Sequence, residues 1–294
     1  MDWLKRHGSF IVFLGAFCWS LNSPFVKGLT ISAFLILFLR SVIAGTVLLP
    51  FLRPKKLRWD KWMFIFLASF AAVCICVIVA LKLTDASIAI GMQYTAILWL
   101  TLADIIRNRS LKGQPWLAVG LVMIGLILFM TSGSGMVGSP AGIALSILEG
   151  IVFAIMTATS KRAGQDNPIG VTSIACYFTA LVVLLISPST VLEIADMDAV
   201  QWILIFILGT VQVGAGYAFY NLGLQYVSPQ RASVLALTEL VLGPLWVILF
   251  LHEYSSFQVL AGLAFIVGGI LVNSVGNTLM QKIRGSLSSQ ESKS

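Results

Sequence analysis

Ten apolar stretches, each long enough to cross a bilayer, occupy nearly all of the 294 residues. A crossing helix needs roughly 20 apolar residues. The candidate spans run over 9–28, 31–52, 62–82, 86–106, 115–132, 141–160, 169–188, 200–220, 231–251 and 257–278. A backbone in lipid must satisfy its polar groups internally, as helices or as a closed barrel. These runs are continuous rather than alternating, which selects helices. The expected fold is an all-α integral membrane protein with ten transmembrane helices. Composition agrees, at 58% hydrophobic and 11% charged, where a soluble domain is about one-quarter charged.

The net charge of +7 points to nucleic acid only until the basic residues are placed. With the N-terminus cytoplasmic and ten spans alternating, the inner segments hold 16 of the 19 Lys and Arg, including the cluster Arg53, Lys55, Lys56, Arg58 and Lys61. The exceptions are Arg40 inside a span and Lys27 and Lys82 at outer span ends. Outer loops 132–141 and 188–200 carry none, although the second holds Glu193, Asp196 and Asp198. This is the positive-inside pattern, and it predicts a multi-pass protein of the cytoplasmic (inner) membrane with both termini cytoplasmic. The basic excess then serves topology and anionic lipid, with the bilayer as partner and no nucleic acid. The first span is expected to be retained, because no small-x-small cleavage site closely follows an apolar core. All four cysteines lie within spans, and Cys74 and Cys76 point about 200° apart on a helix, a poor metal pair. No metal and no cofactor are expected.

The chain repeats itself. Ala80-Leu81 through Ser87, leading into Tyr94-Thr95, matches Gly223-Leu224 through Ser228, leading into Leu237-Thr238, at an offset of 143. Gly120-Leu121 with Ile124 matches Gly262-Leu263 with Ile266 at 142, and Trp19 to Lys27 matches Phe153 to Lys161 at 134. The halves are 1–138 and 139–284, followed by a polar tail, 285–294, expected to be disordered. Five spans per half force the second half to insert upside down relative to the first. Inverted repeats place a site at their interface near the bilayer midplane and exchange conformations to give alternating access.

On these residues the chain resembles the EamA-like family of the drug/metabolite transporter superfamily. The resemblance rests on Trp19-Ser20 with Lys27 at the end of span 1, the Ala-Leu/Gly-Leu element before spans 4 and 9, Pro244 followed by Glu253, and the glycine-bearing spans 5 and 10. It covers essentially the whole length. It implies two inverted five-helix repeats, a central cavity lined by spans 1–4 and 6–9, spans 5 and 10 at the periphery, and transport of a small metabolite, often an amino acid or organic amine. The first half departs from the pattern, with Thr101 and Ser110 where the Pro and Glu would stand.

Three ionisable residues fall near mid-span: Arg40, Glu149 and Glu239. A charge at the bilayer centre costs about 2.5–3.5 kcal/mol on insertion scales, so each needs a partner, water or a proton. In one reading the two acids line an aqueous cavity and are candidates for proton coupling. In the other, Arg40 pairs structurally with one acid while the other is neutral and hydrogen-bonded. Helical spacing puts Glu239, Gly243 and Trp246 on one face, Glu149 and Phe153 on another, and Gly15, Trp19 and Asn22 on a third. Carboxylates beside aromatic rings suit an organic ammonium, and the same rings equally fill helix contacts. The candidate substrate-binding residues are therefore Trp19, Asn22, Arg40, Gln93, Tyr94, Glu149, Phe153, Glu239 and Trp246, with Gln93 and Tyr94 expected to divide between the inside and the outside of span 4. Gln212, Tyr217, Tyr220 and Asn221 in span 8 are read likewise as cavity candidates, but Tyr220 and Asn221 lie close to the cytoplasmic interface and read at least equally as interfacial residues. Pro24 and Pro244 interrupt spans and are hinge candidates. Glycines in spans 5 and 10 allow close contact, within the chain or in a homodimer.

The leading function is a secondary transporter, an exporter of a small-molecule substrate. Uptake of an organic cation such as a quaternary ammonium compound is the alternative, and a non-transporting scaffold is the alternative of another class. No P-loop is present to drive a pump, and no nucleophile–base pair at membrane depth marks an enzyme.

Overall fold

Helix boundaries follow from caps and prolines. In the computed structural model, α1 (Asp2–Ser20) and α2 (Asn22–Gly28) make the first crossing. The break at Leu21 has a cause three residues on: Pro24 lacks an N–H, and its ring would strike the carbonyl of Ser20 in a continuous helix. Leu21 instead donates to Cys18 O at 3.4 Å. Pro24 thus sits in the first turn of α2, and the break precedes it. Ser32 caps α3 (Ala33–Leu48) by accepting from Leu35 N, and Asp60 caps α4 (Lys61–Leu83) by accepting from Trp62 N and Met63 N. Both satisfy amides that a helix start leaves open. Next come α5 (Ala86–Gln93) and α6 (Gln114–Thr131). Ser139 with Pro140, and Asn167 with Pro168, start α7 (Pro140–Ala163) and α8 (Pro168–Ile186), proline being favoured at the first helical position. A capping box of Asp198 and Gln201 starts α9 (Ala199–Ile207), which continues through a π-helical segment, Leu208–Ala215, into α10 (Gly216–Leu224).

The structure describes residues 2–84, 86–96, 98–100, 102–103, 114–131 and 139–227. Beyond these it describes 232, 235–236, 238–239, 242–243, 245–246, 249, 256–258, 260–269 and 271–272. Among them, six helices are long and apolar enough to cross a membrane: Arg6–Gly28, Ala33–Phe51, Lys61–Leu83, Pro140–Ala163, Pro168–Ile186 and Ala199–Leu224. Shorter apolar helices, Ala89–Leu100 and Leu260–Gly269, lie in two further expected spans, and α6 lies in a third. The protein is an all-helical, multi-pass membrane protein. Pro244, Glu253, loop 132–138 and the tail 285–294 lie outside the described residues.

The principal packing pairs are α4 with α7, α3 with α8 and α1 with α10. Glycines set the closest approaches. A Cβ on Gly8 would lie 2.9 Å from Tyr226 Cβ, and one on Gly142 would lie 3.0 Å from Leu83 Cβ. Gly125 of α6 meets the backbone of Gly262 at 2.6 Å by the same measure, so this glycine closes a contact inside the chain. Outward faces carry exposed Phe64, Leu148, Leu185 and Phe206, as lipid contact requires.

Between α3 and α4, and between α7 and α8, the connections meet. Arg58 pairs with Asp166 at 3.0 Å, with 61% and 41% of the side chains exposed, and Arg162 lies 4.2 Å over the Trp62 ring. A pair this exposed contributes about 0–1 kcal/mol. Arg58→Ala is therefore expected to leave the melting temperature in detergent unchanged to within a degree or two. A large drop would show that this pair locks the two connections.

Candidate functional site

Arg40 is 1% exposed in the middle of α3. Its Nη1 donates to Asn22 Oδ1 at 3.1 Å and to Gln212 Oε1 at 3.2 Å, and its Nη2 donates to the carbonyl of Cys74 at 3.3 Å. Each acceptor comes from a different element. Asn22 opens α2 just after the helix break, Gln212 lies in the π-helical segment, and Cys74 lies in α4. A π segment shifts the register of the side chains around it and recurs at functional sites; here it turns Gln212 toward Arg40. All three acceptors are uncharged. The structural Arg40–Glu pair considered from sequence is not formed among the described residues; the guanidinium's hydrogen bonds go to dipoles, and its Nε has no partner among them.

The acids sit apart from that fork. Glu239 Oε2 accepts from Tyr94 Oη at 2.8 Å and, at the outer limit of a hydrogen bond, from Gln93 Nε2 at 3.5 Å. Gln93 and Tyr94 therefore both face inward, against the expectation that only one would. The helix turns at Tyr94 and Thr95, which brings both side chains to one acid. Tyr94 Oη also lies 2.6 Å from the carbonyl of Ala236. One phenol proton bonds well to only one acceptor at a time, so the triangle can be closed in two ways. An ionised Glu239 would accept the hydrogen bond of Tyr94 Oη; a protonated Glu239 would donate to the phenol oxygen and leave Tyr94 to donate to the carbonyl.

Glu149 is 0% exposed, and among the described residues neither of its carboxyl oxygens has a hydrogen-bond partner. It lies within electrostatic reach of Glu239, Arg40, Tyr94 and Tyr217. The neighbouring Gly150 explains the proximity: a Cβ there would lie 2.8 Å from Met92 O and closer still to Thr95 Oγ1. Only a bare Cα lets α7 approach the turn that carries Gln93 and Tyr94.

One helical turn after Glu149, Phe153 belongs to a buried aromatic group. Its ring centroid lies 6.0 Å from Trp19, 6.1 Å from Tyr220 and 6.5 Å from Tyr94. Trp19 also packs at 4.7 Å on Tyr217 and 4.5 Å on Tyr220. Gly216 makes room for the indole, since a Cβ there would sit 2.5 Å from Trp19 Cδ1. Trp246 is half-buried, and its Nε1 donates to Ser20 Oγ at 3.0 Å, which ties its helix to the end of α1. Nine side chains were expected at the site. Eight of them are fully buried and belong to these linked groups, and Trp246 borders them.

Tyr220 and Asn221 are also buried, facing into the bundle and not outward as residues of an aromatic belt do. Asn221 accepts from Ser160 Oγ at 2.7 Å and donates to Thr172 Oγ1 at 2.9 Å, joining α7, α8 and α10 beneath the rings. The helix runs on to Leu224, beyond the expected end of span 8, which carries this pair inside. Gln212 is a cavity candidate from sequence as a polar residue in mid-span, and it is buried here, but nothing in the sequence points to its bond with Arg40. No three His, Cys, Asp or Glu side chains come together as metal ligands do among the described residues. The four cysteines are free.

A sequence model of the EamA-like transporter family matches residues 6–131 and 140–275. An "Uncharacterized transporter" of Archaeoglobus fulgidus is 25% identical over 281 residues, which is 92% of this chain and 98% of that protein. "Uncharacterized transporter YwfM" of Bacillus subtilis is 24% identical over 282 residues, covering 90% and 93%. A crystal structure 18% identical in sequence superposes with a TM-score of 0.66 over 92% of this chain and 97% of its own, and so shares the fold. With the family's pattern matched once in each half of a multi-pass helical protein, the chain belongs to the EamA-like transporter family.

Proposed function

We propose that the protein is a secondary transporter that exports a small amine-bearing metabolite, an amino acid or an organic amine, across the cytoplasmic membrane, exchanging it for protons. The observation that carries this reading is that two carboxyls and a guanidinium are all buried deep in an apolar bundle, with Glu149 within electrostatic reach of both Arg40 and Glu239 and one turn from a buried aromatic group. Charges at that depth are costly and mark ion or substrate pathways.

Alternating access requires two halves that can exchange roles. The repeats 1–138 and 139–284, with five spans each, would be related by a pseudo-twofold axis in the membrane plane. Paired contacts support the relation. Gly8 approaches Tyr226 as Gly142 approaches Leu83, and these positions correspond at the sequence offsets of 134 and 143. The basic inner segments favour both termini in the cytoplasm. A homodimer through spans 5 and 10 would use Gly120 and Gly268, beside which a Cβ meets nothing within 4 Å.

The proton is assigned to Glu239. Its triangle with Tyr94 and the Ala236 carbonyl offers a hydrogen-bonded arrangement to either protonation state, as a proton carrier needs. The test is flux in proteoliposomes under an imposed proton gradient. Wild type is expected to move substrate against its own gradient, Glu239→Gln to lose all gradient-driven movement, and Tyr94→Phe to slow it. Flux indifferent to the gradient in wild type would end the proton assignment.

A further inference from the structure

We propose that Glu149 is the substrate counter-charge, and that the substrate is a monovalent organic ammonium with an apolar or aromatic surface rather than a zwitterion or an anion. The inference rests on the transporter reading and narrows its substrate class.

Three observations lead to it. The first is the division of labour between the acids. Glu239 is engaged by Tyr94 and Gln93, whereas Glu149 is fully buried with both oxygens unpartnered among the described residues. A buried carboxyl lacking protein donors is a strong acceptor for a cation brought from outside. The second is Arg40. A carboxylate gripped by two N–H groups would need at least one terminal nitrogen, and both already donate to Asn22, Gln212 and Cys74 from three elements, Nε being the one guanidinium nitrogen without a partner among the described residues. A carboxylate taken up there would compete with that arrangement. The third is charge. The buried group holds one guanidinium and two carboxyls, Arg40 against Glu149 and Glu239. Arg40 offsets one negative charge, so a ligand with one positive charge leaves the group neutral while both acids are ionised. A zwitterion adds nothing to that balance, and an anion worsens it.

The rings supply the remaining recognition. Phe153 stands one turn from Glu149, and Trp19, Tyr94 and Tyr220 lie within 6.5 Å of it by ring centroid. Their faces attract a cation by its charge and cover its methyl or aryl groups by burial.

The experiment is calorimetric titration of the full chain in detergent with three phenyl compounds of similar size: benzyltrimethylammonium, phenylalanine and 3-phenylpropionate. Benzyltrimethylammonium is expected to bind at least about tenfold more tightly than phenylalanine, and phenylpropionate not to bind. Glu149→Gln should lose at least about tenfold of the ammonium affinity, and Glu149→Asp should recover part of it. Phe153→Leu should lose about two- to tenfold. Retained melting transitions would show that these variants are folded. Equal or tighter binding of phenylalanine, or ammonium binding indifferent to Glu149→Gln, would overturn the inference. Proteoliposome uptake separates it from the reading beneath it. Glu149-dependent ammonium binding without flux of any of the three would leave the site standing and remove the transporter reading. Flux of phenylalanine alone would do the reverse.

Discussion

Arg40→Met is expected to be among the most damaging single substitutions in the chain. It removes the only donors to Asn22 Oδ1 and Gln212 Oε1 among the described residues, and the side-chain donor to the Cys74 carbonyl. Each buried acceptor left without a donor costs about 1–3 kcal/mol, so the sum reaches several kcal/mol. The opposing effect is real: burying a guanidinium is itself costly, and well-packed apolar replacements of buried charges are often neutral or better. The two effects separate in a combined variant. Arg40→Met alone should lower the melting temperature in detergent by roughly 10 °C or more. Arg40→Met with Asn22→Leu and Gln212→Leu should recover most of that loss, because the stranded acceptors are gone. Neither protein should transport, since the buried charge balance is lost in both. Arg40→Lys keeps the charge but cannot reach three acceptors with one planar fork, and is expected to fall between.

Gly150→Ala is the second large effect, and it acts through a single methyl group. That carbon would sit 2.8 Å from the Met92 carbonyl and nearer still to Thr95 Oγ1, which is itself bonded to Met92 O at 2.7 Å. The hydroxyl can rotate away; the carbonyl is backbone and cannot. Overpacking of this kind costs about 1–3 kcal/mol, and the displaced turn carries the Gln93 and Tyr94 side chains that hold Glu239. Stability and flux should therefore fall together. Adding Thr95→Ala should restore part of the stability, as it clears the nearer of the two clashes. Gly120→Ala and Gly268→Ala, where a Cβ meets nothing within 4 Å, should change stability by no more than about 0.5 kcal/mol. Melting curves of the purified variants in one detergent check the series.

The parts of this structure that were legible in the sequence share one property: they follow from solvent. Long apolar runs announce crossing helices, and a Glu or Arg inside such a run has to be buried with company. Arg40, Glu149 and Glu239 were therefore recognisable one by one. Their partners were not. Asn22 and Gln212 stand 18 and 172 residues from Arg40 along the chain, and no local pattern connects them. The structural pairing of Arg40 with an acid is the obvious guess from charge alone; here three dipoles on three elements replace it. Helix irregularities divide in the same way. The break at Leu21 has a proline three residues later to announce it, whereas the turn at Tyr94 and Thr95 and the π segment at Leu208–Ala215 have none. Those two unannounced irregularities aim Gln93, Tyr94 and Gln212 inward. The burial of Tyr220 and Asn221 was hidden for a simpler reason: span ends read from hydropathy drift by a turn, and α10 extends past them to Leu224.

The central claim is that the buried group around Glu149 and Phe153 is reached from either side of the membrane in turn. Substituted-cysteine labelling tests it most directly. The four native cysteines are replaced, Phe153→Cys is introduced, and a membrane-impermeant thiol reagent is applied separately to each face of oriented vesicles. Labelling from both faces is the predicted result, with benzyltrimethylammonium slowing the reaction. Labelling from neither face, or from one face under every condition, would contradict it.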